Sequence, residues 1–251
     1  GDDEPLLTLI HNLNTLREGV PIYFVAGDED PEPVLSTARG TPRVLADWVE
    51  AAQTAGAVYL DAPVSQTVGK KTVWFSPEYL YDVDVDGLIG ALTSQRESME
   101  AQGSQYEAEG GAAYRALGYR IEAYQRTQQA LKAMTANDLQ IAVNHVPMET
   151  SYIRESIEWA DQEKVFNFRN ISLLLCGHYC GGQWRLPGGG AVYVPEKGWF
   201  PSDDGIRGMQ RINSLNQYIS PGIGACGDYP MKGRLFNKPT VTLITFTAKL
   251  Q

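Results

Sequence analysis

No apolar run in this sequence approaches the ~20 residues that a membrane-crossing helix needs, so no segment reads as a transmembrane span. Positive charge is also in short supply. The 21 Lys and Arg stand against 30 Asp and Glu, for a net charge of -9. An acidic surface releases no counterions from a phosphate backbone, so nucleic acid is not expected as a partner. Cysteine is scarce and odd in number: Cys176, Cys180 and Cys226 imply no closed disulfide framework, and the cellular compartment stays open. The acidic start is unlike a secretory leader. Internal repeats and low-complexity tracts are missing as well. What is present is 251 residues that are 43% hydrophobic, enough to bury one substantial core, and the chain reads as a single α/β domain over 1–251.

Along the chain, Asp3 and Pro5 precede Leu6, Leu9, Ile10, Leu13 and Leu16, with Gly19 behind them, which predicts a capped amphipathic helix. Ile22 to Val25 predicts a short strand that runs into the polar loop AGDEDPEP. Thr41 and Pro42 open a second helix carrying Leu45, Trp48, Val49 and Ala52, and strands are expected over Val58–Leu60 and Thr72–Phe75. From Val85 to Met134, apolar residues spaced by three, four or seven predict a helical pair, or one long helix broken near Gly110 and Gly111. This stretch, taken as 85–135, reads as a helical insertion packed on its own domain. Leu139–Val143 and Ile171–Leu175 are expected strands, each followed closely by a histidine: His145 in NHVP and His178 in GHYC. The last part, 176–251, is rich in Gly and Pro and predicts a β-rich meander with strands over Ala191–Val194, Gln217–Ser220 and Val241–Phe246.

Three loops therefore follow strands and carry donor groups: GDED (Gly27–Asp30), NHVP (Asn144–Pro147) and GHYC (Gly177–Cys180). In a parallel or mixed sheet such loops converge at one edge, which brings Asp28, His145, His178 and Cys180 around a point. Carboxylate, imidazole and thiolate suit zinc or a similar transition ion. Around them, Gly181, Gly182 and Gly224 read as backbone requirements of tight turns. Arg185 is expected either to face a phosphate or to pair with a carboxylate. Asn216 and Gln217 are expected to organise the neighbouring loop, Cys176 to be a core residue, and Trp184 and Trp199 to be buried.

The order CGHYCGGQWRLPG, GWFPSDDG, NQYISPGIGACG and RLFNKPTVTLITF resembles the calcineurin-like metallophosphoesterases, in particular the bacterial branch whose last motif reads GHTHGGQ. GVPIYFVAGDED sits where that family has a strand ending in GNHD, and AGAVYLDAPV with KKTVWFSP is similar to its next two strands. The resemblance implies a mixed α/β fold: a metallophosphatase-like two-sheet β-sandwich flanked by helices, lacking the first strand–helix unit and carrying an inserted helical segment. It also implies ancestral hydrolysis of a phosphate-ester small molecule at a two-metal site.

Transferred position by position, Asp28 stands for the family's metal-binding asparagine, while His145 and His178 match histidines of the same metal. Cys180 replaces a histidine of the other metal, whose remaining ligands lie in motifs this sequence lacks. Glu29 stands where the family has the histidine that assists the leaving group. A solvated glutamate, with a pKa of ~4.3, is a poor proton donor at neutral pH. The implied cofactor is one divalent transition ion (Zn, Mn or Fe) or none, with catalysis impaired. The alternative is a non-catalytic interaction module. Since the family's missing first strand is central, an open sheet edge is expected, and with it either a homo-oligomer paired through that edge or a further N-terminal piece.

Overall fold

The computed structural model describes residues 4–36, 43–77, 84–106, 108–163, 171–202, 205–213 and 215–247. Asp3, Thr41 and Pro42, expected to open helices, lie outside them. Helix α1 (Glu4–Leu16) turns its Ile10 inward, and helix α2 (Asp47–Thr54) buries Val49 and Ala52. Ile10, Ala52 and Ala57 pack together with Leu6, Ile22, Phe24 and Ala55, so both helices cover the strands between them. Those strands, β1 (Ile22–Phe24) and β2 (Ala57–Tyr59), pair in parallel as a small sheet of their own.

A larger, mixed six-stranded sheet follows. It contains β3 (Val64–Val68), β4 (Lys71–Pro77), β5 (Leu139–Val143), β6 (Ile171–Cys176), β9 (Gly208–Ile212) and β10 (Leu215–Ile219). The strand order is β3-β4-β5-β6-β10-β9. The four central strands, β4, β5, β6 and β10, run parallel, and the antiparallel hairpin partners β3 and β9 close the two edges. Parallel pairing forces all four central strands to release their chains at the same edge. The loops after Val143, Cys176 and Ile219 therefore meet. The small sheet is tied alongside by stacking of Tyr23 on Phe75, with ring centroids 4.7 Å apart, and by a 2.9 Å hydrogen bond from Gln66 Nε2 to Tyr23 Oη.

The helical stretch is a pair, α3 (Val85–Ala101) and α4 (Ala108–Ala133). Asp84 caps α3 by accepting from Gly87 N at 2.9 Å. The break falls at Gly103 (φ 72°) and the short 3-10 turn Ser104–Tyr106, upstream of the expected glycines. Gly110 lies inside α4, where a Cβ would sit 2.1 Å from Ser104 O, so its role is close approach. Both helices together form the crossover between the parallel neighbours β4 and β5, and α4 packs Ala130, Leu131 and Met134 against Trp74. Tyr119 and Arg126 of α4 also hydrogen-bond Asp61 at the end of β2.

Helix α5 (Thr150–Glu163) crosses from β5 to β6 and sends Ile153 and Ile157 into the main core, with Leu174, Cys176, Tyr179, Ile206, Ile212 and Ile219. Fully burying one such isoleucine contributes about 1.5–3 kcal/mol.

Strands β7 (Tyr193–Val194) and β8 (Gly198–Trp199) form a two-stranded ribbon in the long segment between β6 and β9, shorter than the run expected from Ala191. Trp199 departs from the expectation of burial and is 61% exposed, stacked beside Tyr193. The expected strand over Val241–Phe246 is not formed. Its alternating residues have no neighbouring backbone to pair with, leaving Val241 86% and Leu243 90% exposed. The nearby ties are Thr240 N to Gly222 O at 2.9 Å and a hydrogen bond between the Thr242 and Tyr218 hydroxyls. No described helix is long and apolar enough to cross a membrane.

Candidate metal centre

The chain leaving β1 makes a tight turn in which Gly27 N donates to Asp30 Oδ2 at 2.8 Å, presenting Asp28 and Glu29. A Cβ on Gly27 would lie 2.8 Å from His145 Cε1, so glycine is what lets the imidazole rest on this turn. His145 follows β5. The β5–β6 pairing continues past both strands through Asn144 N to Leu175 O (2.9 Å) and Gly177 N to His145 O (3.0 Å). That extension sets His145 beside the loop carrying His178. From β10, the fully buried Gln217 accepts from Met148 N at 2.9 Å and donates to Met148 O at 3.0 Å, pinning the chain just beyond His145.

The loop after β6 is held in an uncommon backbone conformation. His178, Cys180, Gly181, Gly182 and Gln183 have φ of 68°, 47°, 61°, 76° and 35°. Left-handed non-glycine residues cost of order 1–3 kcal/mol each and persist where surroundings over-determine them. Here the surroundings are explicit. Tyr229 Oη donates to Tyr179 O at 2.6 Å, Asn237 Nδ2 to Cys180 O at 2.7 Å, and Gln183 Nε2 to Met231 O at 2.6 Å. Arg185, buried, donates to the carbonyls of Gly181 and Gly189, which replaces both expectations for it: it braces the turn's backbone. Gly182 is required sterically, since a Cβ would meet Ala191 Cβ at 2.3 Å.

These devices bring three donors together. Asp28, His145 and His178 each offer a ligand atom, and the three atoms lie within 4.8 Å of one another. Asp28 Oδ1 is 2.5 Å from His145 Nε2, Asp28 Oδ2 is 3.2 Å from His178 Nδ1, and the two ring nitrogens are 3.1 Å apart. Donor atoms on a tetrahedral ion at ~2.0–2.1 Å sit ~3.3 Å from each other, so this triangle has the right size. The remaining nitrogen of His178 is 2.8 Å from Glu196 Oε1. With Nε2–H donating to Glu196, the Nδ1 lone pair faces the other two donors, the usual arrangement of a metal-binding histidine. Burial works to raise the Asp28 pKa, but the adjacent His145 and His178 outweigh it and hold the carboxyl below its usual range.

Cys180 and Glu29 line the same cavity of about 200 Å³ as the three donors, along with Cys226. Cys180 lies outside the three-residue group, its thiol pKa raised by burial. Glu29 is engaged elsewhere: its Oε1 accepts from Cys226 Sγ at 3.0 Å and from Gly227 N at 3.3 Å. Burial, reinforced by Glu29, pushes the Cys226 thiol up to about 12. Cys176 is a core residue, buried, with its pKa pushed up to about 12 by burial. Sequence reading did not single out Glu196 or assign chemistry to Cys226. Nothing in PEKGWF or GACG announces that Glu196 reaches His178 or that Cys226 reaches Glu29.

Comparison with protein-family models, with curated proteins and with solved structures returns no match.

Proposed function

We propose that this chain is a metal-binding relative of the calcineurin-like metallophosphoesterases, built on a metallophosphatase-like two-sheet scaffold. It holds one divalent transition ion (zinc, manganese or iron) on Asp28, His145 and His178. Phosphate-ester hydrolysis is its ancestral reaction, much reduced here. The observation that carries this reading is the convergence of those three side chains, from the ends of β1, β5 and β6, into one triangle of donors. The side-by-side placement of the β1–β2 sheet and the six-stranded sheet supports the scaffold.

A divalent ion bound there supplies Lewis-acid polarisation of a phosphoryl oxygen. Asp28 contributes the negative charge, His145 and His178 the neutral donors, and Glu196 keeps His178 in the tautomer that ligates. Asp28 is 49% exposed, so a small phosphate ester reaches the triangle from solvent on its side. Glu29, at the position of a leaving-group acid, is held by Cys226 and Gly227 and has no proton to give. Without that acid, and with Cys180 in place of a second-metal imidazole, turnover of a phosphodiester is slow. A non-catalytic interaction module on the same scaffold is the second reading, favoured by the exposed apolar pair Val241 and Leu243.

Protein purified without chelator is expected to carry one equivalent of transition metal, lost in His145→Ala and His178→Ala. Equal metal in all three proteins refutes the site. With manganese added, hydrolysis of a generic chromogenic phosphodiester that depends on His145 and His178 selects the phosphoesterase reading. Metal binding without such hydrolysis selects the module.

A further inference from the structure

The opposite wall of the cavity holds groups that the Asp28, His145 and His178 triangle does not use. Cys180 and Cys226 come from two different loops, yet their thiols are in side-chain hydrogen-bonding contact. Cys226 Sγ also donates to Glu29 Oε1 at 3.0 Å, so two sulfurs and a carboxylate meet at one place. Both cysteines are free thiols, and all three residues line the cavity shared with His145 and His178.

We propose that Cys180, Cys226 and Glu29 form a second, thiolate-rich metal site that takes a thiophilic closed-shell ion, zinc by preference. Two sulfurs and one carboxylate oxygen are a borderline-soft donor set of the kind zinc accepts, with a fourth position left to water. The donors are held in advance. Asn237 Nδ2 fixes the Cys180 carbonyl at 2.7 Å, and Gln183, itself fully buried, accepts from Cys226 N at 2.8 Å, so one side chain locks the two loops together. Two thiolates and a carboxylate around a divalent ion leave one excess negative charge, which the Arg234 guanidinium near Cys180 offsets. Asp28 and Glu29 are neighbours on one turn, so that turn gives one carboxylate to each site. The two sites share no donor, and this one stands whether or not the triangle binds an ion.

Cobalt is the probe, because only sulfur ligation gives it an intense near-ultraviolet charge-transfer band. Titrating the reduced full chain with cobalt is expected to produce that band, and added zinc to bleach it. Cys226→Ser abolishes the band while one equivalent of cobalt still binds at the triangle. His145→Ala keeps the band and loses the other equivalent. Glu29→Gln, which disturbs folding least, weakens the band's apparent affinity at least tenfold. A band that survives Cys226→Ser means that Cys180 serves the triangle's ion instead, and overturns the proposal. So does the absence of any band, or a Cys180–Cys226 disulfide that persists in reductant. Loss of the triangle's ion alone leaves the band in place and counts against only the preceding reading.

Discussion

The two walls of the cavity are built by different means. The Asp28, His145 and His178 wall hangs from strand ends, and its placement follows from parallel pairing plus the ladder's continuation to Gly177 N and His145 O. The Cys180, Cys226 and Glu29 wall is made by loops that touch across 197 residues of sequence between Cys226 and Glu29 and are tied by side chains such as Gln183 and Asn237. A sheet positions donors as a by-product of its own stability, whereas a loop wall has to be specified contact by contact. Damage to the first should unfold the protein, and damage to the second should re-aim a few atoms.

The largest effect is expected from Gln217→Ala. It strips partners from both backbone groups of Met148 inside a closed core, so urea unfolding should show a loss of about 3 kcal/mol, with metal lost from the triangle. An unchanged unfolding midpoint would mean that the strand wall is not built as described. Gly27→Ala sharpens the contrast from the other side. Its new methyl pushes into the His145 ring, so equilibrium dialysis should find ion binding at the triangle sharply weakened while the midpoint moves little, since the turn is exposed.

Glu196→Gln keeps shape and hydrogen bonding but removes the charge that orients His178, and calorimetry should record a 10–100-fold weaker metal affinity, with the cobalt–sulfur band untouched. The smallest effect is a slope with pH. Cys176 keeps its proton to about 12 in the folded chain, against 9.0 for an ordinary thiol. The unfolded chain therefore ionises first as pH rises. Stability from this group is intact below 9.0 and is lost between 9.0 and about 12. Thermal unfolding should weaken there by up to about 1 kcal/mol per pH unit, and Cys176→Ala should flatten that limb.

The contrast also explains what the sequence revealed. His145 and His178 were legible because each follows closely on a β-branched or leucine-rich run, and Asp28 because GDED follows one too. The helical pair was legible from its long periodicity, though the break was misplaced, since glycine at 110 serves close packing against Ser104 and not chain reversal. Strand β3 was missed: VSQTV is mostly polar and takes its identity from its partner β4 across the Gly69 turn. Helix α5 was missed because Ile153 and Ile157 are thinly spread among charged residues. The reverse error fell at Val241–Phe246, whose alternation satisfies every local rule for a strand except the presence of a neighbour. Glu196 and Cys226 act only through tertiary contacts, which no local pattern encodes.

The left-handed turn from His178 to Gln183 has a consequence for how this protein can drift. Besides glycine, the residues that tolerate positive φ best are asparagine, aspartate and histidine. Branched aliphatic side chains are refused there on backbone grounds alone. Substitutions that survive at 178 are thus drawn mostly from side chains that still carry an oxygen or nitrogen donor. The turn acts as a filter on mutation, and the pocket beside it stays rich in ligands even in a lineage no longer selected for catalysis.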